Sequence, residues 1–335
     1  MRNIPLSVLD QSPVRKGGTA ADALNETIEL AKQCDSWGYH RYWLAEHHAT
    51  QGFAGCSPEV LLARLGAETD RIRIGSGGVM LPHYSPYKVA ENFKILGTLY
   101  PGRMDLGVGR APGTNQYINA VLAYGSNVGS EYFPQMVADL DALLRDVDPV
   151  TPGMEKARAM PTVEQPPQLW MLGSSQDSAS LAANMGLPYC FAYFINSNIR
   201  RDIMQLYSTN FVPGPVADKP WRNLAAFVVC ADTDAEAERL YRSRELWYLG
   251  LLTQKEPGAI PSEEEAAEYQ YSDEEKAILA ANPRHIIKGA PEKVKAELEE
   301  LIQTFELDEL MVVTITYDFK ARCRSYELLM EAWNS

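Results

Sequence analysis

IRIGSGGVMLPHYSPYKVAENFKILGTLYPGRMDLGV (residues 72–108) decides the fold. It begins with a β-rich apolar run, Ile72–Met80, passes Pro86 into a segment of helical period, and ends in a second run, Met104–Val108. A proline in a first helical turn loses no hydrogen bond, so Pro86 marks a helix start. Strand, helix and strand in that order are the pattern of a parallel sheet with crossover helices. The alternation continues outward, to Ile4–Asp10 and Arg41–Ala45 on one side and to Gln168–Gly173, Pro188–Phe194, Leu224–Cys230 and Leu310–Thr316 on the other. Eight such runs predict an α/β chain closed into a TIM (β/α)8 barrel, in preference to an open doubly wound sheet. Pro58 and Pro291 mark further helix starts. Leu24, Ile28 and Ala31 share one helical face, and Gly38 stands where a glycine stops that helix.

The 335 residues suit one barrel domain carrying insertions. Two stretches break the rhythm: Ala111–Gly129, rich in Gly, Asn and Tyr, and Leu251–Arg284, with the acidic run Glu263–Glu265. Both follow strands and so fall on the carboxyl-terminal face, where long loops shape active sites. The first is read as a pocket wall or lid, and the second equally as a wall or as a solvated insertion. Hydrophobic residues at 46% and charged residues at 22% are ordinary for a globular enzyme with a large core. A net charge of −13 argues against a nucleic-acid partner, which needs clustered Lys and Arg, and leaves a small-molecule substrate as the default. The five cysteines form no CxxC pair, and no apolar run reaches membrane-spanning length. With no apolar signal core after Met1, the expectation is a cytoplasmic protein with no membrane partner.

Several strand ends carry candidate chemistry. The run Tyr42–Ala45 delivers Glu46, His47 and His48 onto the catalytic face. A histidine there suits general acid or base work, because its pKa lies near working pH. Adjacent residues leave an extended chain in opposite directions and no third ligand stands nearby, so no metal is expected. His47 is taken to face the site while His48 hydrogen-bonds within its loop. Gly77 and Gly78 permit close backbone approach by a flat ring, or mark a simple bulge. The run Gly107-Val108-Gly109-Arg110 lacks GxGxxG spacing, and Arg110 is read as a cation suited to a phosphate. Ser174, Ser175 and Ser178 open a helix, whose amino terminus binds anions; an ordinary serine cap gives the same pattern. Tyr84, Tyr117, Tyr193 and Phe194 are candidate pocket walls, although core packing is the commoner role of such aromatic residues.

Taken together, Trp43–His48, Gly75–Pro82, Gly102–Arg110 and Leu172–Ser175 resemble the bacterial luciferase-like monooxygenase family, in its subgroup of unassigned substrate. The segments Leu310–Thr314 and Arg324–Leu328 add to the likeness, which covers nearly the whole chain. The resemblance implies FMN as cofactor, with its phosphate near Arg110, Ser174, Ser175 and Ser178. It implies a ring resting against Gly77, Gly78 and Met80, with a cis peptide at Gly77–Gly78, and His47 as the catalytic histidine. It further implies a homodimer fed with reduced FMN by a separate flavin reductase, oxidising a small organic substrate with O2 through a C4a-hydroperoxyflavin. Light-emitting members carry a cysteine where this chain has Gly109, and a second phosphate arginine is replaced near Tyr132, so light emission is not expected. The rival readings are a deazaflavin-dependent dehydrogenase of the same superfamily, a non-catalytic flavin-binding protein, and a metal-dependent hydrolase barrel.

Overall fold

In the computed structural model, which describes residues 4–111, 115–124, 129–197, 202–253 and 258–335, a ring of parallel strands organises the chain. The strands are β1 (Leu6–Asp10), β2 (Arg41–Leu44), β3 (Arg73–Met80), β4 (Met104–Gly109), β5 (Gln168–Gly173), β6 (Tyr189–Phe191), β7 (Arg222–Cys230), β8 (Ile286–Gly289) and β9 (Glu309–Val313). All but β8 belong to the ring, in the order β6-β5-β4-β3-β2-β1-β9-β7, and it closes where β6 pairs with β7. The eight expected strands are these eight, and the barrel is a TIM barrel.

The ninth strand was not expected. Phe227 of β7 has a partner on each side, Val313 of β9 and Ile286 of β8. β8 therefore continues along the edge of β7 that β6, only three residues long, leaves open. Unpaired backbone polar groups are costly when buried, and this four-residue strand satisfies them.

Around the ring lie α1 (Ala20–Trp37), α2 (Pro58–Glu68), α3 (Pro86–Leu99), α4 (Gln116–Ala123), α5 (Phe133–Leu144), α6 (Gln176–Asn184), α7 (Asp202–Thr209), α8 (Asp234–Leu252), α9 (Glu263–Glu268), α10 (Asp273–Ala281), α11 (Pro291–Phe305) and α12 (Phe319–Asn334). Pro58, Pro86 and Pro291 all occupy first turns, and Gly38 ends α1 with φ +89°. The buried stripe of α1 is Ala23, Thr27, Leu30, Ala31 and Cys34, so Leu24 and Ile28 flank it instead of forming its centre. The two stretches read as long loops contain helices, α4 in the first and α9 and α10 in the second; their residues 112–114, 125–128 and 254–257 lie outside the described residues.

Strand side chains alternate between two cores, as a period of two requires. Val8, Tyr42, Ile74, Leu106, Leu224 and Val312 pack outward on the helices. Leu9, Trp43, Trp170, Ala225, Phe227, Met311 and Val313 point inward and fill the barrel. At the amino-terminal end of the strands the interior is polar: Arg41 pairs with Asp105 at 2.8 Å and Glu309 at 3.0 Å, and Glu309 also accepts from Ser7 and Trp221. The opposite end carries the candidate site.

Candidate active site at the barrel mouth

β2 ends at Leu44, in register with Asp10 of β1 and Ser76 of β3, and hands Glu46, His47 and His48 to the carboxyl-terminal mouth. Glu46 is 1% exposed, and its carboxylate is fully engaged. It accepts from the Met80 N–H at 3.1 Å and the Tyr84 hydroxyl at 2.8 Å, and lies 2.7 Å from His48 Nε2. His48 therefore serves the loop, as expected from the sequence. The His47 backbone N–H donates to Gly55 O at 2.9 Å, its ring lies 4.7 Å from that of Phe53, and its Nδ1 is buried with no hydrogen-bond partner. Burial, with a smaller push from His48, lowers its pKa to about 4, so His47 is neutral at pH 7.

The β3–β4 wall explains its glycines. The ladder slips between Gly77 and Val79, and the Gly77–Gly78 peptide is cis. A Cβ on Gly78 would stand 2.7 Å from Gly107 O, and one on Gly107 2.3 Å from Ser76 O, so neither strand has room for a side chain there. The slip is the bulge that the sequence allowed at these glycines. Two residues on, a Cβ at Gly109 would meet nothing within 4 Å. The wall is tight through the strand and opens at its end.

β4 and β5 are neighbours, in register through Val108 and Met171, which brings Arg110 beside the start of α6. Ser175 caps that helix and forms a capping box with Ser178. The Ser178 hydroxyl donates to Ser175 O at 2.7 Å and lies 3.0 Å from the Tyr189 hydroxyl, so it serves the cap. The Ser174 carbonyl accepts from Asn196. Arg110, about half exposed, reaches Asp177 of the first turn at 3.4 Å, a loose surface pair that holds the guanidinium weakly. The corner thus offers a cation and first-turn N–H groups at one place, the donor set that an oxyanion needs.

The expected wall residues divide. Phe194 belongs to the inner core, 5.4 Å from Phe227, and Tyr84 holds Glu46. Tyr193 packs on Phe305 outside the ring, and Tyr117 is 76% exposed on α4. Residues that the sequence did not single out do line it: Phe53 carries His47 on one side and the Trp247 ring, 5.2 Å away, on the other. A cavity of about 550 Å³ borders Trp247 and is walled in part by Glu265 and Tyr269, so the second insertion does shape a pocket. Among the described residues no cluster could hold a metal ion.

A closed parallel barrel with a neutral histidine, a glycine wall and an anion corner at the carboxyl ends of its strands defines a class of TIM-barrel protein built to hold a ligand at that mouth. The sequence matches the luciferase-like monooxygenase family over residues 4–305, and the chain belongs to that family. It is 38% identical to the N-acetyl-S-alkylcysteine monooxygenase of Bacillus subtilis (strain 168), over 98% of each chain. Among solved structures it is similar to apo-MsnO8, with 39% identity, a TM-score of 0.91 and 99% and 98% of the two chains covered. Fold alone is shared, with a TM-score of 0.68 in each case, with the oxygenating constituent of 3,6-diketocamphane monooxygenase from Pseudomonas putida, solved with FMN (18% identity, 98% and 97% covered), and with an F420-dependent secondary alcohol dehydrogenase (16%, 99% of each).

Proposed function

We propose that the protein is a flavin-dependent monooxygenase that receives reduced FMN from a separate flavin reductase and, with O2, transfers one oxygen atom to a small organic substrate. The second oxygen leaves as water and the flavin leaves oxidised, which balances the reaction. The observation that carries this reading is the meeting of Arg110 with the first turn of α6, at strand ends adjacent to the Gly77–Gly78 wall. Arg110, Ser174 and the first-turn N–H groups of α6 hold the phosphate, with Ser175 and Ser178 fixing that turn. Gly77, Gly78 and Met80 take the ring, for which the glycines leave the wall free of side chains. Bound there, reduced flavin supplies the electrons that activate O2. The chain's own part is to orient the ring and exclude water, and His47 presents a neutral imidazole to exchange a proton.

Exposed Val60 on α2 and Ile95 and Leu99 on α3, neighbouring helices, support a homodimer. The five cysteines are free, which supports a reducing cytoplasmic setting. Anaerobic mixing of the protein with reduced FMN, followed by rapid exposure to O2, tests the reading. A return to the oxidised spectrum slower than that of free flavin is expected. Reoxidation at the free rate, or binding of F420 with no binding of FMN, would replace it with the dehydrogenase or binding-protein reading.

A further inference from the structure

Arg244 on α8 is 4% exposed, and its Nε and Nη1 are buried with no hydrogen-bond partner. Its guanidinium lies 4.1 Å from the centre of the Phe227 ring and 5.1 Å from that of Tyr248. A second cation, Arg284, lies 4.4 Å from the other ring contact of this group, Tyr248, and donates to Phe194 O at 2.7 Å. Neither arginine makes an ion pair with a described carboxylate. Two cations thus share one aromatic ring without a counter-charge, and burial, the larger cause, together with Arg284 brings the Arg244 pKa down to about 10.

Tyr241, on the same helix, gives Arg244 a side-chain hydrogen bond, yet Nε and Nη1 stay unpaired. A buried guanidinium with donors left open costs stability, because aromatic faces replace only part of its lost hydration. Folded proteins keep such groups where a ligand completes them. Arg244 lies between the inner core of the barrel and the aromatic residues that carry His47. Phe227 and Phe194 belong to the inner core of the barrel, and Trp247, three residues along α8, reaches through Phe53 to His47. The phosphate corner proposed above is on β4 and α6, separate from β7 and α8.

We propose that Arg244, with Arg284 beside it, binds an oxyanion of the substrate, so that the protein acts on small organic acids, carboxylates or sulfonates, held by the acid group. This deepens the monooxygenase reading and rests on it for calling the bound acid a substrate. The planar fork of arginine offers paired N–H donors to such a group, and the aromatic surround makes each bond stronger than it is in water.

Calorimetric titration of the full chain with hexanoate, hexanesulfonate and uncharged hexanamide, with and without oxidised FMN, tests the site. One or both anions should bind at least about 10-fold more tightly than the amide, and Arg244→Met should remove that preference. Arg244→Met should also raise Tm by roughly 3 °C, because a methionine fills the site without a buried charge. Arg244→Lys keeps a cation and loses the fork, and should retain part of the preference. Wild-type protein that does not prefer either anion, a preference that survives Arg244→Met, or a fall in Tm in that variant would overturn the proposal. So would loss of FMN affinity in Arg244→Met with hexanoate binding intact, which would assign the cation to the flavin phosphate. Failure of FMN to bind while the anion preference persists would instead remove the flavin reading and leave the anion site standing.

Discussion

His47 shows how burial sets chemistry at the scale of one residue. Its ordinary value of 6.5 falls to about 4, so the folded protein takes up this proton only in acid, while the unfolded chain takes it up near 6.5. Between those values the unfolded state binds more protons, and stability rises with pH across the window and is lost as pH falls through it. At ~1.4 kcal/mol per pKa unit the full loss is about 3 kcal/mol. Urea unfolding of wild type and His47→Gln should therefore show a stability difference that moves in favour of the variant by about that amount between pH 7 and pH 4. A constant difference would mean that His47 titrates normally. The same burial keeps the imidazole neutral near pH 7, so it accepts or passes on a proton there and does not act as a standing cation.

At the scale of elements, the glycines of β3 and β4 divide into those that hold two strands together and one that opens the mouth. Gly78 approaches the backbone of Gly107, whereas Gly109 faces open space. Gly78→Ala should destabilise by roughly 1–3 kcal/mol or more, because backbone cannot yield as a flexible side chain does. Gly109→Ala should stay within about 0.5 kcal/mol of wild type. Thermal melts of the two variants check this, and equal losses would refute the division. The strands themselves were legible in the sequence because each is a short apolar run between turn signals. β8 was not, since Ile286–Gly289 is too short to show a period and pairs only because β6 ends early. The helices of the second insertion did leave a signal. Ser262 with Glu265 and Ser272 with Glu275 have capping-box spacing, and each serine caps its helix, so the acidic run is the first turn of α9. Of the mouth, His47, the glycines and the Arg110 corner could be read from strand ends. Phe53 and Trp247 could not, because their places depend on how α8 folds against the barrel and on contacts far apart in sequence.

Across the whole molecule the two ends of the barrel divide the work, as they do in this architecture generally. At the amino-terminal end, Arg41 and Arg73 face Asp105 while Arg41 also holds Glu309, a buried set joining β1, β2, β3, β4 and β9 with the Trp221 side chain. Burial pushes the Asp105 carboxyl up, yet the two guanidinium groups outweigh it and hold its pKa below the usual value. This charge pair therefore stabilises above the ordinary carboxylate range and loses its effect as pH falls through the folded value. Removing Glu309 leaves Arg41 and Arg73 facing the single carboxylate of Asp105, an uncompensated buried charge, so Glu309→Ala should cost about 3–5 kcal/mol. At the carboxyl end, Arg110 is half exposed and loosely paired, so its removal strands nothing. Arg110→Ala should leave stability within about 0.5 kcal/mol of wild type and weaken FMN binding roughly 10-fold or more. Denaturant unfolding and flavin fluorescence titration on both variants separate the two roles. A crossed result is expected, with Glu309→Ala unstable but binding FMN at wild-type affinity once folded, and Arg110→Ala stable but weak for FMN. Loss of both properties in either variant would mean that the polar floor and the mouth are coupled through Trp43 and Trp170, whose rings meet edge to face 5.1 Å apart.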